Sequence, residues 1–234
     1  MRFTDKTVVV TGAAGNLGQA VAAAFAAEGA QLILVDVDAA RLDEVYPGSS
    51  ARRGKLAVDL RDEAATAAAL AEVLPDGRAC DVLCAIAGGF HMGEAVHETS
   101  AEVWDLMLGL NAQTLLNAVK ALVPGMVAQG QGRVVTVGAA AARSGVAGMG
   151  AYTATKSVVM RLTEAMAGEL AGKGVTVNAV LPSIIDTPQN RAAMPKADPA
   201  NWVAPADLAS VVTFLASAEA RAVSGALVPV TGGR

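Results

Sequence analysis

Short apolar runs rich in valine and other β-branched residues alternate with segments of helical pattern along the whole chain. Such runs are typical of strands that are buried on both faces of a parallel sheet. Their alternation with helices predicts an α/β fold, a doubly wound parallel sheet of about seven strands with helices on both faces. The predicted strands are residues 7–11, 31–35, 55–58, 82–86, 133–137, 175–181 and 227–230.

Composition limits the kinds of protein that this chain can be. It has 234 residues with no linker-like stretch and no internal repeat, so one Rossmann-type domain over residues 1–234 is expected. The formal net charge is −4 and no block of lysine and arginine occurs, so no nucleic-acid partner is expected. The chain lacks a signal-peptide core, and no apolar run approaches the roughly 18 residues of a membrane span. We therefore expect a cytoplasmic protein without a membrane partner.

Cysteine and histidine are scarce. Cys80 and Cys84 fall four residues apart in one predicted strand, which separates them by about 13 Å, too far for a disulfide. We interpret them as buried thiols rather than a redox pair. Because His91 and His97 are the only histidines, no metal site is expected.

A glycine-rich loop follows the first predicted strand and leads into a helix expected over residues 16–28. Glycines let the backbone approach a pyrophosphate, and the free N–H groups of the helix N-terminus attract the anion. A tight turn alone is the simpler alternative, but the strand before the loop and the helix after it favour a dinucleotide site. Its predicted contacts are Gly12, Ala14, Asn16, Leu17 and Gly18.

Asp36 ends the second predicted strand, 18 residues after Gly18. A carboxylate at this place bonds the adenosine 2′-hydroxyl and repels a 2′-phosphate. No arginine or lysine follows at once, and Arg41 lies in the next helix. The pattern favours NAD over NADP, although a solvated aspartate at a strand end is the alternative.

Tyr152 and Lys156 are separated by four residues, which places both side chains on one face of a helix. A nearby ammonium favours the phenolate and is expected to lower the tyrosine pKa, so that the phenol can exchange a proton with a carbonyl or an alcohol. The same spacing also occurs by chance on ordinary surface helices. The pair becomes informative because a dinucleotide site is predicted in the same chain.

Together these motifs resemble those of the short-chain dehydrogenase/reductase family over essentially the whole chain. The matching elements are Thr11-Gly12-x-x-Gly15-x-Leu17-Gly18, Ala87-Gly88, Asn111, Tyr152-x-x-x-Lys156, Asn178-x-x-x-Pro182 and Thr187. The resemblance implies an NAD-dependent oxidoreductase that forms a homotetramer or homodimer. It implies that Tyr152 is the acid or base, that Lys156 lowers the tyrosine pKa and binds the nicotinamide ribose, and that Asn111 holds a proton-relay water. Further cofactor contacts implied by the resemblance are Asp59, Leu60, Ala87, Gly88, Pro182, Ile185 and Thr187.

Two positions depart from the family pattern. The family usually has Asn-Asn-Ala-Gly after the fourth strand, where this chain has Ala85-Ile86-Ala87-Gly88. The family also has a catalytic serine thirteen residues before the tyrosine, where this chain has Ala139. A narrower resemblance, to the dihydropteridine reductase branch, accommodates both departures, since that branch also has alanine at the serine position and prefers NADH. The motifs that carry it are Val82-Leu83-Cys84-x-x-Ala87-Gly88-Gly89-Phe90, Gly138-Ala139-x-Ala141-Ala142-x-x-Gly145, Gly148-Met149-x-x-Tyr152 and Asp186-Thr187-Pro188-x-Asn190-Arg191-x-x-Met194-Pro195-x-Ala197-Asp198. Asn111, by contrast, follows the general family.

The expected function is hydride transfer between NAD(H) and a quinonoid dihydropterin-like or carbonyl substrate. One alternative is a generic NAD-dependent alcohol dehydrogenase or ketone reductase, and another is a catalytically weak NAD-binding regulatory protein. Residues 182–204 are expected to form a substrate loop because they are rich in proline and charge and lack periodicity. Candidate substrate contacts, each of which simple packing would also explain, are Phe90, His91, Ala139, Met149, Met194 and Trp202.

Overall fold

The computed structural model, which describes residues 1–48, 50–74 and 79–232, contains one sheet of seven parallel strands in the order β3-β2-β1-β4-β5-β6-β7. The strands are β1 (Thr7–Thr11), β2 (Gln31–Asp36), β3 (Arg53–Ala57), β4 (Val82–Ala85), β5 (Gly132–Val137), β6 (Val175–Pro182) and β7 (Leu227–Val230). The predicted fold class is confirmed. The third strand begins two residues earlier than the sequence suggested, because Arg53 pairs with Leu32 of β2.

Helices connect the strands as the alternating pattern predicted. They are α1 (Asn16–Ala27), α2 (Ala39–Val45), α3 (Glu63–Val73), α4 (Ala101–Leu108), α5 (Thr114–Ala128), α6 (Gly150–Glu169), α7 (Pro188–Ala193) and α8 (Pro205–Ala216). The Ser100 hydroxyl caps α4 by accepting the Val103 N–H at 3.2 Å. The Thr99 hydroxyl donates to the Ala95 carbonyl.

Two apolar layers cover the sheet. On one face α1 packs over β1 and β2 and α8 over β5 and β6, and the two helices contact each other, with Phe25 and Leu208 fully buried. On the other face α3, α5 and α6 cover the sheet around Leu83 and Leu122. This arrangement explains why the central strands are apolar on both faces.

The strand order reverses between β1 and β4. The crossover connections diverge at this point, which leaves a crevice at the carboxyl ends of the two strands, where open α/β sheets bind ligands. The glycine loop after β1 and the Ala87-Gly88 segment after β4 both lie at this edge. The sheet topology therefore brings the two predicted cofactor segments together.

Between α4 and α5, the five residues Gly109–Gln113 form a π-helical turn that contains Asn111. Together these segments make a helix over residues 101–128, which is long and apolar enough to cross a membrane by length and composition. The expectation that no segment would meet those criteria was wrong. Half of its most apolar window is buried within the protein, and it carries the buried side chains of Asn111 and Asn117, so it is a core helix of this fold.

The segment 182–204 is more ordered than its composition suggested. It contains α7, for which Thr187 is the N-cap, and a short 3-10 helix at Pro199–Asn201. A bridge between Ile185 and Val203 closes the base of the segment.

Candidate active site

The glycine loop fits a closely approaching ligand because side chains are excluded from it. Gly12 has φ of +63°, and a Cβ there would lie 3.0 Å from the backbone of Ala87. A Cβ on Gly18 would lie 2.1 Å from the Gly12 carbonyl oxygen, so the α1 N-terminus can pack against the loop only with glycine at this position. The Thr11 hydroxyl accepts the N–H groups of Ile86 and Ala87 at 3.0 Å and fixes the loop to the end of β4.

Asp36 lies where the sequence placed it, at the end of β2 beside the glycine loop. Its carboxylate accepts the Ala14 N–H at 2.9 Å and the Val37 N–H at 2.8 Å. Arg41, the nearest cation in sequence, pairs with Glu44 on the exposed surface of α2. The carboxylate is thus fixed by the loop that it borders.

Asp59 and Leu60 lie next to Asp36. The Val58 N–H donates to the Asp36 carbonyl at 2.9 Å, which extends the β2–β3 pairing into this segment. Leu60 is buried, and the Asp59 carboxylate is held by the Arg61 guanidinium at 2.6 Å, which lowers the pKa of Asp59 through their hydrogen bonds. These residues form the wall of the crevice beside Asp36, where the sequence predicts that the adenosine lies.

Tyr152 and Lys156 lie one turn apart on α6, at the opposite side of the crevice. The Lys156 ammonium is buried and donates to the Val137 carbonyl at 2.9 Å. A Cβ on Gly88 would lie 3.1 Å from Lys156 Nζ and 2.7 Å from Asn111 Oδ1, so both side chains border Gly88. The structure therefore brings Lys156, Asn111 and the segment after β4 into one cluster, with Tyr152 on the same helix.

The protonation behaviour of the pair differs from the sequence-based expectation. Burial raises the pKa of Tyr152 to about 12, whereas a lowered value was expected. Burial also lowers the pKa of Lys156 to about 8. The expectation was wrong because loss of hydration dominates the tyrosine environment, while the lysine points to the Val137 carbonyl.

Asn111 is both a satisfied helix irregularity and a member of the cluster. Its carboxamide accepts the Gly89 N–H at 3.1 Å and donates to the Gly89 carbonyl and to the Thr155 hydroxyl, each at 3.2 Å. The π-turn places this side chain toward α6 and the end of β4. Single π-turns of this kind are frequent at functional sites.

Ala139 lies in an apolar cluster beside Tyr152. It is 3% exposed and packs with Ala142, Met160 and Leu181. Ser157 lies on the same helix as Tyr152, and its hydroxyl is within hydrogen-bond distance of the carbonyls of Ala142 and Thr153. The side chain at position 139 therefore carries no hydroxyl and is surrounded by apolar groups.

The segment 182–204 reaches the glycine loop through one hydrogen bond. Asn16, the first residue of α1, donates from Nδ2 to the Gln189 Oε1 atom at 2.8 Å. Thr187, expected to contact the nicotinamide carboxamide, accepts the Asn190 N–H at 3.1 Å and caps α7. Pro182 ends β6, and the Ile185 carbonyl accepts the Asn190 side chain.

Only some of the predicted substrate residues lie together. Phe90 is 57% exposed and its ring contacts that of Tyr152 edge-on, with 4.8 Å between centroids. His91 pairs with Glu94 at 2.6 Å and shares a crevice with Met149.

The other two predicted substrate residues are placed by α7 and the segment after it. Trp202 lines a separate cavity of about 380 Å³ with Asp186, Arg191 and Asp207. Met194 ends α7. Of the predicted substrate residues, Phe90 and Ala139 therefore lie next to Tyr152.

Sequence reasoning missed several residues that shape the site. Thr155 and Gln189 belong to none of the motifs used above. Their hydrogen bonds to Asn111 and Asn16 arise because segments distant in sequence pack together. Thr11 was treated only as part of the glycine loop. Asn117 could have been noticed, because it is a second asparagine in the same apolar helix as Asn111.

The observed cleft fits a dinucleotide. A Cβ would be too close to neighbouring atoms at Gly12 and Gly18 of the loop and at Gly88 after β4, and the N-terminus of α1 follows the loop without a side-chain cap. Asp36 lies at the adenosine side and the Tyr152–Lys156 pair at the other side. The residues present would hold the pyrophosphate at the loop, the adenosine beside Asp36, and the nicotinamide toward Tyr152.

Comparison with known proteins agrees with this geometry. Residues 6–198 match the model of the short chain dehydrogenase family. The meso-2,3-butanediol dehydrogenase of Serratia marcescens is 33% identical, with 100% of this chain and 96% of the relative covered. The 3-oxoacyl-(acyl-carrier-protein) reductase of Thermotoga maritima is 30% identical, with 100% of this chain and 99% of the relative covered.

A solved structure extends the comparison to the backbone. The 3-ketoacyl-(acyl-carrier-protein) reductase of Brucella melitensis, complexed with NADH, is 29% identical and superimposes with a TM-score of 0.88. The match covers 99% of this chain and 98% of that one. None of these three proteins is a dihydropteridine reductase, so the narrower resemblance stays a prediction. The chain belongs to the short-chain dehydrogenase family of NAD(P)-dependent oxidoreductases.

Proposed function

We propose that this protein is an NADH-dependent reductase whose acceptor is a planar conjugated system of the quinonoid dihydropterin type. The observation that carries the proposal is Ala139, buried among apolar side chains next to Tyr152 where the family has serine. A ketone gathers negative charge on one oxygen as hydride arrives, and loss of one hydrogen-bond donor there typically costs on the order of 3 kcal/mol. A quinonoid system spreads that charge over several atoms and needs the second donor less.

The side chain of Phe90 also supports a flat acceptor. Its ring is exposed and stands edge-on to Tyr152, so an aromatic surface borders the proton donor. Met92, two residues further on, is also more than half exposed. Such apolar side chains favour contact with a planar ring system.

Each catalytic residue has a defined role in the proposed reaction. The bound nicotinamide supplies the hydride. Tyr152 is protonated at neutral pH because its pKa is raised to about 12, so it can donate the proton that completes the reduction. Lys156 would bind the nicotinamide ribose from the floor of the cleft beside Gly88, and Asn111 would hold a water for proton supply from solvent.

We further propose a preference for NADH over NADPH. The Asp36 carboxylate borders the site of the adenosine ribose and is fixed by two backbone N–H groups. A 2′-phosphate there would meet a like charge at short range, and the nearby Arg41 is paired with Glu44.

The second candidate function is a general NAD-dependent alcohol dehydrogenase or ketone reductase. It is favoured by the relatives, whose names describe a butanediol dehydrogenase and an oxoacyl reductase. In that case a water would replace the serine hydroxyl. The third reading, a catalytically weak NAD-binding regulator, is opposed by the intact Tyr152–Lys156 pair.

A substrate comparison tests the proposal. Wild-type protein is assayed for NADH consumption with quinonoid dihydropterin and with a panel of simple ketones and diketones. The proposal expects a higher kcat/KM for the quinonoid acceptor. Efficient turnover of simple ketones with no quinonoid activity would favour the second candidate, and no turnover of any acceptor would favour the regulator.

Self-association is proposed as well. Trp104 and Leu108 lie one turn apart on α4 and are 43% and 38% exposed, which leaves an apolar stripe on the surface. A second copy of this chain would cover it in the homodimer or homotetramer that family membership suggests. Light scattering on wild type and Trp104→Glu tests this proposal. If α4 lies in the interface, the mass of the assembly should be smaller for the variant than for wild type.

A further inference from the structure

Asn117 lies on α5, outside every motif discussed above, yet it is bonded to the wall of the adenosine side. Its side chain is 1% exposed. The Nδ2 atom donates to the Leu60 carbonyl at 2.8 Å and to the Arg61 carbonyl at 3.1 Å. One side chain therefore holds two successive carbonyls of the segment between β3 and α3.

The orientation of the Asn117 amide is itself fixed. Gln113, one turn earlier and the last residue of the π-turn, donates from Nε2 to the Asn117 Oδ1 atom at 2.7 Å. With its oxygen engaged in this way, both Nδ2 hydrogens face the carbonyls of residues 60 and 61. The arrangement specifies asparagine rather than any small polar residue.

The held segment is the one that borders Asp36. The Val58 N–H donates to the Asp36 carbonyl, and Asp59 follows one residue later. Arg61, which pairs with the Asp59 carboxylate, packs over the π-turn, since a Cβ on Gly109 would lie 3.3 Å from Arg61 Cδ. The π-turn and the start of α5 thus support the adenosine wall from behind.

We propose that Asn117 is a positioning residue for the adenosine half of the cofactor, acting through the backbone of Asp59, Leu60 and Arg61. The inference rests on the proposed binding of NADH in this cleft and is independent of the substrate. Without the amide, two buried carbonyls lose their donor and the segment can shift away from the adenine. The reactive end of the cofactor is held by other residues, so the effect should be confined to the adenosine half.

The test compares two ligands by fluorescence titration and competition, without any substrate. NADH carries both halves of the cofactor, whereas ADP-ribose lacks the nicotinamide. For Asn117→Ala the dissociation constants of NADH and ADP-ribose should rise by the same factor, about tenfold. Gln113→Ala keeps both donors of Asn117 and loosens only their orientation, so a smaller rise of about threefold is expected even if Asn117→Ala fails to fold.

Thr163→Val is the matched control, because the Thr163 hydroxyl is also buried and bonds the Thr136 hydroxyl at 2.7 Å, away from the adenosine wall. It should lower the melting temperature without changing either dissociation constant. The inference is overturned if the Asn117 and Gln113 variants bind both ligands like wild type, or if only NADH binding weakens. It also fails if the control weakens both ligands equally. If wild type binds neither ligand, the proposed cofactor site is wrong, and the inference about Asn117 is then wrong as well.

Discussion

At the glycine loop, on the proposed adenosine side of the cleft, the backbone sets the shape, whereas on the proposed catalytic side buried and half-buried side chains set it. The loop consists of glycines without room for a Cβ and of an N–H group bonded to the Asp36 carboxylate. The catalytic side depends on Tyr152, Lys156 and Asn111, which come from two different helices. A backbone-built region tolerates little substitution, while a region built from side chains can change chemistry one residue at a time. We propose that Ala139 is such a change, because it lies beside Tyr152 and away from the glycine loop.

The largest effect that should separate the two sides is that of Tyr152→Phe. We expect kcat to fall by about a hundredfold or more, because the proton donor is lost, while the NADH dissociation constant stays near that of wild type. Steady-state kinetics and a fluorescence titration measure the two quantities. Near-normal turnover would remove Tyr152 from the mechanism, and an equal loss of NADH binding would show that the two sides are not separable.

The variant Lys156→Met tests how much the burial of the lysine ammonium lowers the free energy of unfolding. The fall of the lysine pKa from 10.5 to about 8 corresponds to about 3 kcal/mol of lost stability at pH 7. Methionine avoids this cost but leaves the Val137 carbonyl without its donor, so the free energy of unfolding should rise by about 2 kcal/mol. Activity should be lost. Urea unfolding at pH 7 measures the gain, and a less stable variant would contradict the burial argument.

The pH dependence of stability gives the same comparison a second test. Between pH 8 and 10.5 the folded protein has released the Lys156 proton that the unfolded chain still holds, so this lysine makes stability rise with pH. Burial raises the pKa values of Cys80, Cys84, Tyr46 and Tyr152, so these groups make stability fall as the unfolded chain loses their protons above about pH 9. The stability of wild type relative to Lys156→Met should therefore rise between pH 8 and 10.5, because the fall is common to both proteins. A stability difference that does not change with pH would contradict the burial argument.

Asp36→Ala should produce a smaller change, confined to the adenosine side. Removal of the carboxylate relieves repulsion of a 2′-phosphate and also removes a bond to the ribose, so the preference for NADH should shrink by about tenfold. Dissociation constants for NADH and NADPH measure it, and kcat at saturating cofactor should not change. A wild type that prefers NADPH would contradict the role given to Asp36.

Features that depend on a local stretch of sequence could be predicted, whereas contacts between distant segments could not. The glycine loop, Asp36 and the seven strands follow from local patterns, because glycine spacing and β-branched runs have few structural solutions. The contact of Asn16 with Gln189 and that of Asn117 with Leu60 join residues more than fifty positions apart. No local pattern encodes such contacts. The raised pKa of Tyr152 was missed for the same reason, since burial depends on the packing of the whole site.

The most direct test of the proposed function is the variant Ala139→Ser, assayed with NADH against quinonoid dihydropterin and against a simple ketone. The serine would place a second hydroxyl beside that of Tyr152. We expect the quinonoid rate to stay within about twofold of wild type and the ketone rate to rise by about tenfold or more, because only the ketone concentrates charge on one oxygen. If wild type already reduces simple ketones efficiently and ignores the quinonoid acceptor, or if both rates rise equally, the role given to Ala139 is contradicted.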